Sequence, residues 1–320
     1  MADINKTVVL DWDTVSNNDI QHDEILAPGK IKFYGLTKPE EVIQRIGDSS
    51  IVLCNKVLIT EQIMDACPSL RYIGLFATGF NNIDLNAAKE RGITVCNAGS
   101  YSTDAVAQHT FALILHHFSK VALYGNYVAD GGWIKSPTFS VFPFPVYELA
   151  GKTIAIVGFG SIGKAVAKIA EAFNMNILVC TRTKPENSKY ELVSPEEAFR
   201  RADILTCHCP LTESTKGFIS RDRLSLMKKS ALIINTSRGP VADEKALADA
   251  LNSEQIAGAG LDVLEYEPMR PDSPLLGAKN CIITPHIAWA PLETRRRLIS
   301  IVNGNLKAFL EGKPTNVVNQ

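Results

Sequence analysis

Short apolar runs alternate along this chain with stretches in which apolar positions recur every three or four residues. The first hundred residues read TVVLDWD, IKFYG, PEEVIQRIGD, SIVLCN, TEQIMDACP, LRYIGLFATG, DLNAAKERG and TVCN, strand patterns interleaved with helix patterns. Parallel strands need a crossover, usually helical, so this rhythm predicts β-α units around a parallel sheet. Residues 1 to about 101 are expected to form one small α/β domain.

A helical pattern without strand signal follows, from about Thr103 to Val128, with apolar Val106, Phe111, Leu113, Ile114, Leu115 and Phe118. Then comes GGWIKSPTFSVFPFPVYELAGK, rich in Pro and Gly yet carrying Trp133, Phe139, Phe142, Phe144 and Tyr147. A long aperiodic connection with five aromatics needs a cover, either a partner subunit or the rest of its own chain. A second alternating series runs from KTIAIVG through GSIGKAVAKIAEAFN, MNILVCTR, SPEEAFRRA, DILTCHCP, RDRLSLMKK, ALIINTSRG, DEKALADALNS and IAGAGLDV to CIITP. A last helix is expected over about Leu292–Glu311.

Composition narrows the class. At 320 residues, with 46% apolar and 21% charged positions, the chain suits two ordinary folded domains. Its 33 basic and 34 acidic residues leave a net charge of −1, so no global field draws it to nucleic acid or an anionic membrane. Arg295, Arg296 and Arg297 read as a solvated helix face. Neither a long apolar span nor a signal-peptide layout is present, and a cytoplasmic location is expected. The seven cysteines are odd in number and sit in apolar runs, as reduced core thiols do. Cys207-His208-Cys209 resembles a metal cluster, but alternate residues on a strand share a face, so His208 points away from Cys207 and Cys209, and a second ligand pair is missing, so no metal is assigned.

The strongest motif is KTIAIVGFGSIGKAVAKIA, in which Gly158, Gly160 and Gly163 form G-x-G-x-x-G between a strand pattern and a helix pattern. In that setting Gly158 makes the turn, Gly160 admits a pyrophosphate, and Gly163 lets helix and strand pack closely. Phe159, Ser161 and Ile162 complete the loop, whose amides would hold the anion at a helix N-terminus. An NAD site usually has Asp or Glu about 20 residues on. Here Cys180 and Thr181 stand in that place, followed by Arg182 and Lys184, which favours a 2′-phosphate and NADP(H). Arg182 stacking on adenine, with NAD(H) bound, is the open alternative.

Hydride transfer needs a proton donor or acceptor and a charge that holds the substrate. Three residues follow predicted strand ends: Arg238 after ALIINTS, Glu267 beyond GAGLDV, and His286 after CIITP. An arginine grips a carboxylate with two parallel hydrogen bonds, and a carboxylate beside an imidazole stabilises its protonated form and fixes its tautomer.

These residues lie within VGFGSIG, HCPLT, INTSRG, GLDVLEYEP and TPHIAWA, whose order and spacing resemble the D-isomer-specific 2-hydroxyacid dehydrogenases over essentially the whole chain. The resemblance implies two Rossmann-like doubly wound domains. A dinucleotide-binding domain, 102–289, is inserted in a smaller flavodoxin-like substrate domain formed by 1–101 and 290–320. It implies that Arg238 binds the substrate carboxylate, that His286 is the acid/base, and that Glu267 pairs with it. Asp262 would contact the nicotinamide amide, Pro210, Thr215, Thr236 and Ser237 would line the cofactor, and backbone amides at Thr78 and Gly79 would meet the substrate. The aromatic segment would belong to a homodimer interface.

The ending HIAWA, with the aromatic segment before ELAGK, resembles the glycerate dehydrogenase or hydroxypyruvate reductase branch, in which Trp289 would restrict the pocket. The expected reaction is reversible NAD(P)H-dependent reduction of hydroxypyruvate or glyoxylate to the D-2-hydroxy acid. The alternatives are a bulkier 2-oxo acid, or a nucleotide-sensing regulator like the corepressors of the extended family.

Overall fold

The computed structural model describes residues 6–183 and 189–320, so Lys184 lies outside the described residues. The chain separates into two compact units, one reaching to Ser102 and resuming at Ala290, the other spanning Thr103–Trp289.

In the first unit, β1 (Lys6–Val9), β2 (Lys30–Phe33), β3 (Ile51–Cys54), β4 (Tyr72–Leu75) and β5 (Thr94–Cys96) form a parallel sheet ordered β2-β1-β3-β4-β5. Its central strands, IVLC and YIGL, are buried at every position, as parallel strands covered on both faces must be. The crossovers carry α1 (Val42–Ile46), α2 (Glu61–Ala66) and α3 (Leu85–Glu90); Asp84 caps the last by accepting the Ala87 N–H at 3.0 Å. The C-terminal helix, Leu292–Leu310, packs against β4, with the Tyr72 and Phe309 rings 4.7 Å apart. Its arginines are not a simple solvated face. Arg295 grips Asp19 through two 2.6 Å bonds, holding that carboxyl well below the usual range, and Arg297 donates to the Tyr101 carbonyl at 2.8 Å.

The second unit opens with α4 (Thr103–Ser119) and α5 (Val121–Ala129). The single helix expected here breaks because Lys120 adopts a left-handed conformation, φ 51°, which ends one helix and starts the next. Seven parallel strands follow: β6 (Thr153–Val157), β7 (Asn176–Cys180), β8 (Glu191–Leu192), β9 (Ile204–Cys207), β10 (Leu232–Asn235), β11 (Gly258–Leu261) and β12 (Cys281–Ile283). They are ordered β12-β11-β10-β9-β6-β7-β8. Alternate strand residues feed two cores. Ile154, Ile156, Ile204 and Ile234 meet α4 and α6 (Ser161–Ala172), while Ala155, Val157, Leu205 and Ile233 meet α7 (Pro195–Arg201), α8 (Arg221–Leu224) and α9 (Glu244–Asn252). The first strand, β6, lies inside the sheet, so the order reverses beside it. In such sheets the carboxyl ends at that reversal form the ligand crevice.

The aromatic segment stays largely uncovered: Phe139 is 90% and Phe142 80% exposed. Phe144 is the exception, half-buried against Tyr124 and Tyr127 of α5.

Candidate active site

The glycine loop between β6 and α6 has the geometry that its motif requires. Gly158 has φ 90°, and a Cβ there would lie 2.7 Å from the His208 carbonyl and the Cys209 nitrogen. A Cβ on Gly163 would lie 2.2 Å from the Gly158 oxygen, so helix and turn touch backbone to backbone. Gly160, at the N-cap, has open space where its Cβ would be. The first bond from α6 back to the cap is Lys164 N–H to Gly160 O at 3.0 Å; the amides of Ser161, Ile162 and Gly163 donate to no described residue. Three open amides at a helix start are an anion site, which fits a dinucleotide pyrophosphate. Phe159 stands edge-on to Tyr190, centroids 5.6 Å apart.

At the end of β7, Thr181 is half-buried and Arg182 exposed, and Arg182 has no partner among the described residues. Across the loop, Thr215 Oγ1 donates to the Pro210 carbonyl at 2.7 Å and accepts the Thr212 N–H at 2.7 Å, giving the PLTEST turn a fixed shape. His208 follows β9, its N–H on the Val157 carbonyl at 2.7 Å and its Nε2 2.9 Å from the Thr206 hydroxyl. Thr206 and His208 thus share a face, and burial pushes the imidazole down to about 3, so it is neutral. Thr236 continues this polar line, 3.1 Å from Thr110 of α4.

The Arg238 turn is built by Asn235, the last residue of β10 and fully buried. Its Oδ1 accepts the Ser237 N–H at 3.0 Å and the Ser237 hydroxyl at 2.8 Å, and its Nδ2 donates to the Arg238 carbonyl at 2.9 Å. Half-buried, the Arg238 guanidinium donates through Nη1 to the Ser237 carbonyl at 2.6 Å; its other N–H groups have no partner among the described residues.

At the ends of the neighbouring strands His286 and Glu267 come together. His286 Nδ1 lies 2.6 Å from Glu267 Oε2, while Glu267 Oε1 accepts the Leu264 N–H at 3.0 Å. An ionised carboxylate only accepts, so Nδ1 carries the proton and Nε2 is the nitrogen left to exchange one. His286 sits at φ 54°, a left-handed conformation rare for a residue with a Cβ. Asp262, 1% exposed, holds that turn: Oδ1 accepts the Thr284 hydroxyl at 2.6 Å and the Ile287 N–H at 2.9 Å, and Oδ2 accepts the Ala288 N–H at 2.8 Å. His109 of α4 braces the same point, its Nε2 2.9 Å from Thr284 Oγ1.

In the first unit, the Thr78 hydroxyl donates to the Gly99 carbonyl and Asn97 Nδ2 to the Thr78 carbonyl at 2.7 Å. The amides of Thr78 and Gly79 donate to no described residue. Trp289 is half-buried at the end of the second unit.

Residues 111–288 match the model of the D-isomer specific 2-hydroxyacid dehydrogenase NAD binding domain. The chain belongs to this family. It is 43% identical to a hydroxypyruvate reductase of Blautia hydrogenotrophica, covering 98% of this chain and all of the relative. It is 38% identical to a glycerate dehydrogenase of Methylorubrum extorquens, covering 98% of each. Among solved structures it resembles an NADPH-dependent glyoxylate/hydroxypyruvate reductase of Sinorhizobium meliloti, with a TM-score of 0.84, 29% identity, and coverage of 99% of this chain and 97% of that one. This member is accordingly an NAD(P)-dependent oxidoreductase acting on 2-oxo and 2-hydroxy acids. Among the described residues, no helix is long and apolar enough to cross a membrane.

Sequence reasoning passed over Asn235, His109 and Thr284. Asn235 left a local signal, an Asn directly before a Thr-Ser turn at a strand end. His109 left none, because its partner Thr284 is 175 residues away.

Proposed function

We propose that this enzyme reduces hydroxypyruvate, with glyoxylate as a second substrate, using NADPH in preference to NADH. The observation that carries the reading is the 2.6 Å His286–Glu267 pair at a strand end two places from the Arg238 turn in the sheet. The N–H groups of Arg238 that have no partner among the described residues grip the substrate carboxylate; the open amides at Thr78 and Gly79 are the first unit's own donors for a substrate. His286 gives its Nε2 proton to the carbonyl oxygen in reduction and takes it back in oxidation. Glu267 stabilises the charged ring throughout. A bound nicotinamide supplies or accepts the hydride.

Gly158, Gly160, Gly163 and the amides beside them would hold the pyrophosphate, with Phe159, Pro210, Thr215, Thr236 and Ser237 lining the rest. Asp262 carries three short bonds on its two oxygens, and a carboxylate has about four acceptor sites, so room remains for one amide N–H. Thr181 and Arg182, which has no partner among the described residues, favour a 2′-phosphate. Trp289 restricts the substrate to small acids. The unit 1–101 with 290–320 is the substrate domain and 102–289 the cofactor domain; the exposed aromatic segment joins two copies as a homodimer. The Sinorhizobium meliloti relative, whose structure holds NADP and malonate, supports the cofactor and substrate class.

Nicotinamide oxidation followed with hydroxypyruvate, glyoxylate and pyruvate, for each cofactor and for Arg182→Ala, tests this. Expected are fastest turnover of hydroxypyruvate with NADPH and a rise in KM for NADPH of about tenfold or more in the variant, the loss of one charge-assisted contact. NADH preference in the wild type would overturn the Thr181–Arg182 reading. Turnover confined to bulky 2-oxo acids would overturn the role of Trp289.

A further inference from the structure

The loop that carries Glu267 is held from behind by groups that touch neither substrate nor cofactor in the proposed reaction. Glu265, Tyr266 and Glu267 are all exposed. Within the loop Arg270 stacks over the Tyr266 ring at 3.5 Å and Glu267 accepts the Leu264 N–H at 3.0 Å, and further restraints come from outside it. One restraint is steric. A Cβ on Gly239, the residue after Arg238, would lie 1.9 Å from the Leu264 carbonyl carbon and oxygen and 2.4 Å from the Glu265 nitrogen. The Arg238 turn and the peptide leading to Glu267 are therefore in direct backbone contact. The other restraint is polar. Glu244, at the first position of α9 and only 9% exposed, accepts the Glu265 N–H at 2.6 Å.

An acid in the first turn of a helix is ordinary, since it meets the positive end of the dipole. That role is served equally well by an exposed side chain. Here the carboxyl is buried, which raises its pKa despite the Glu265 amide, and the charges of Glu265 and Glu267 raise it further. The other ionisable groups close by are Cys281 of β12, Lys245 next along α9, which reaches toward Asp249 at 3.7 Å, and Lys216, Asp243, Arg270 and Asp272, which line the same pocket as Glu244 and Glu265. A buried carboxylate among like charges is costly, and what it gains in return is a charge-assisted bond to the catalytic loop.

We propose that Glu244 is a positioning residue, which by clamping the Glu265 amide sets Glu267 against His286 and, with the Gly239 contact, locks that pair to the Arg238 turn. The proposal rests on the roles given above to Arg238, Glu267 and His286. Glu244→Gln keeps an oxygen for the Glu265 N–H and removes the charge; Glu244→Ala removes both. Each is compared with wild type for kcat and KM with hydroxypyruvate across about pH 5 to 9, the range in which an imidazole relay titrates. NADPH affinity and thermal midpoint are measured alongside.

Glu244→Ala is expected to lower kcat by about tenfold or more, the scale of a misplaced catalytic group, with NADPH affinity and KM little changed. Glu244→Gln should recover most of that loss at its optimum. Its alkaline limb in the reduction direction should move to lower pH, because a negative charge that favours the protonated relay has gone. Wild-type kcat in Glu244→Ala overturns the clamp, as does a loss shared equally by cofactor affinity and thermal midpoint, which marks a merely structural acid. Glu267→Gln is the control. If it leaves kcat unchanged, the relay reading has failed and the clamp falls with it.

Discussion

At the scale of single residues, the proposed reaction separates groups that would exchange protons from groups that hold them still. His286 is committed through Nδ1 to Glu267, so its other nitrogen is its only working atom. His286→Gln is expected to lower kcat by about a thousandfold or more while leaving NADPH affinity nearly intact, since no proton donor then meets the developing alkoxide. Lost NADPH binding would show instead that the ring holds the cofactor. Arg238→Lys should act on substrate: a point charge cannot reproduce the two-pronged fork, so KM for hydroxypyruvate should rise by about tenfold or more. An unchanged KM would remove Arg238 from the carboxylate site. Both residues were picked out in the sequence because each comes within a few positions of the end of an apolar run. What the sequence did not reveal is Asp262 as the anchor of the His286 turn, because Ile287 and Ala288 come to it from 25 and 26 residues away.

At the scale of elements, the strands are set by apolar runs and the helices by periodicity, yet two helices behave differently from their pattern. The stretch expected as one helix divides at Lys120, whose side chain and neighbours give no glycine or proline signal for a break. Within α4, His117 packs against Gly258 of β11, where a Cβ would lie 2.8 Å from the ring, and burial pushes its pKa down to about 4. His208, held near 3, behaves alike. Both folded values lie below the unfolded value near 6.5, so unfolding takes up protons between them. Stability is therefore full above about pH 6.5 and falls as the pH drops, toward about 4 for His117 and about 3 for His208, by at most ~1.4 kcal/mol per unit for each ring. Urea midpoints measured at about pH 7 and about pH 5 should fall less steeply in His117→Asn than in wild type. Equal slopes would mean that the ring is protonated when folded.

At the scale of the whole molecule, net charge near zero leaves apolar surface to govern association. The segment after α5 exposes Trp133, Ile134, Phe139 and Phe142, each more than half uncovered. Exposed apolar side chains gathered on one segment are what the proposed homodimer contact would cover. The double variant Phe139→Asp with Phe142→Asp should sediment as a monomer where the wild type sediments as a dimer, because two charges would be desolvated at the contact. A wild-type monomer would remove the homodimer from the reading.

The sequence by itself determined what local spacing encodes: two alternating strand and helix series, the glycine loop, and the order of the Arg238, Glu267 and His286 motifs. A strand's apolar run and a turn's glycine act within a few residues, so they can be read in place. Only the tertiary structure decided which side chains hold those motifs in position. Glu244 meets Glu265 across 21 residues, and His109 meets Thr284 across 175. Such contacts follow from strand register and helix packing, which no single segment specifies, and a buried acid or a braced imidazole looks in sequence like any other helical residue.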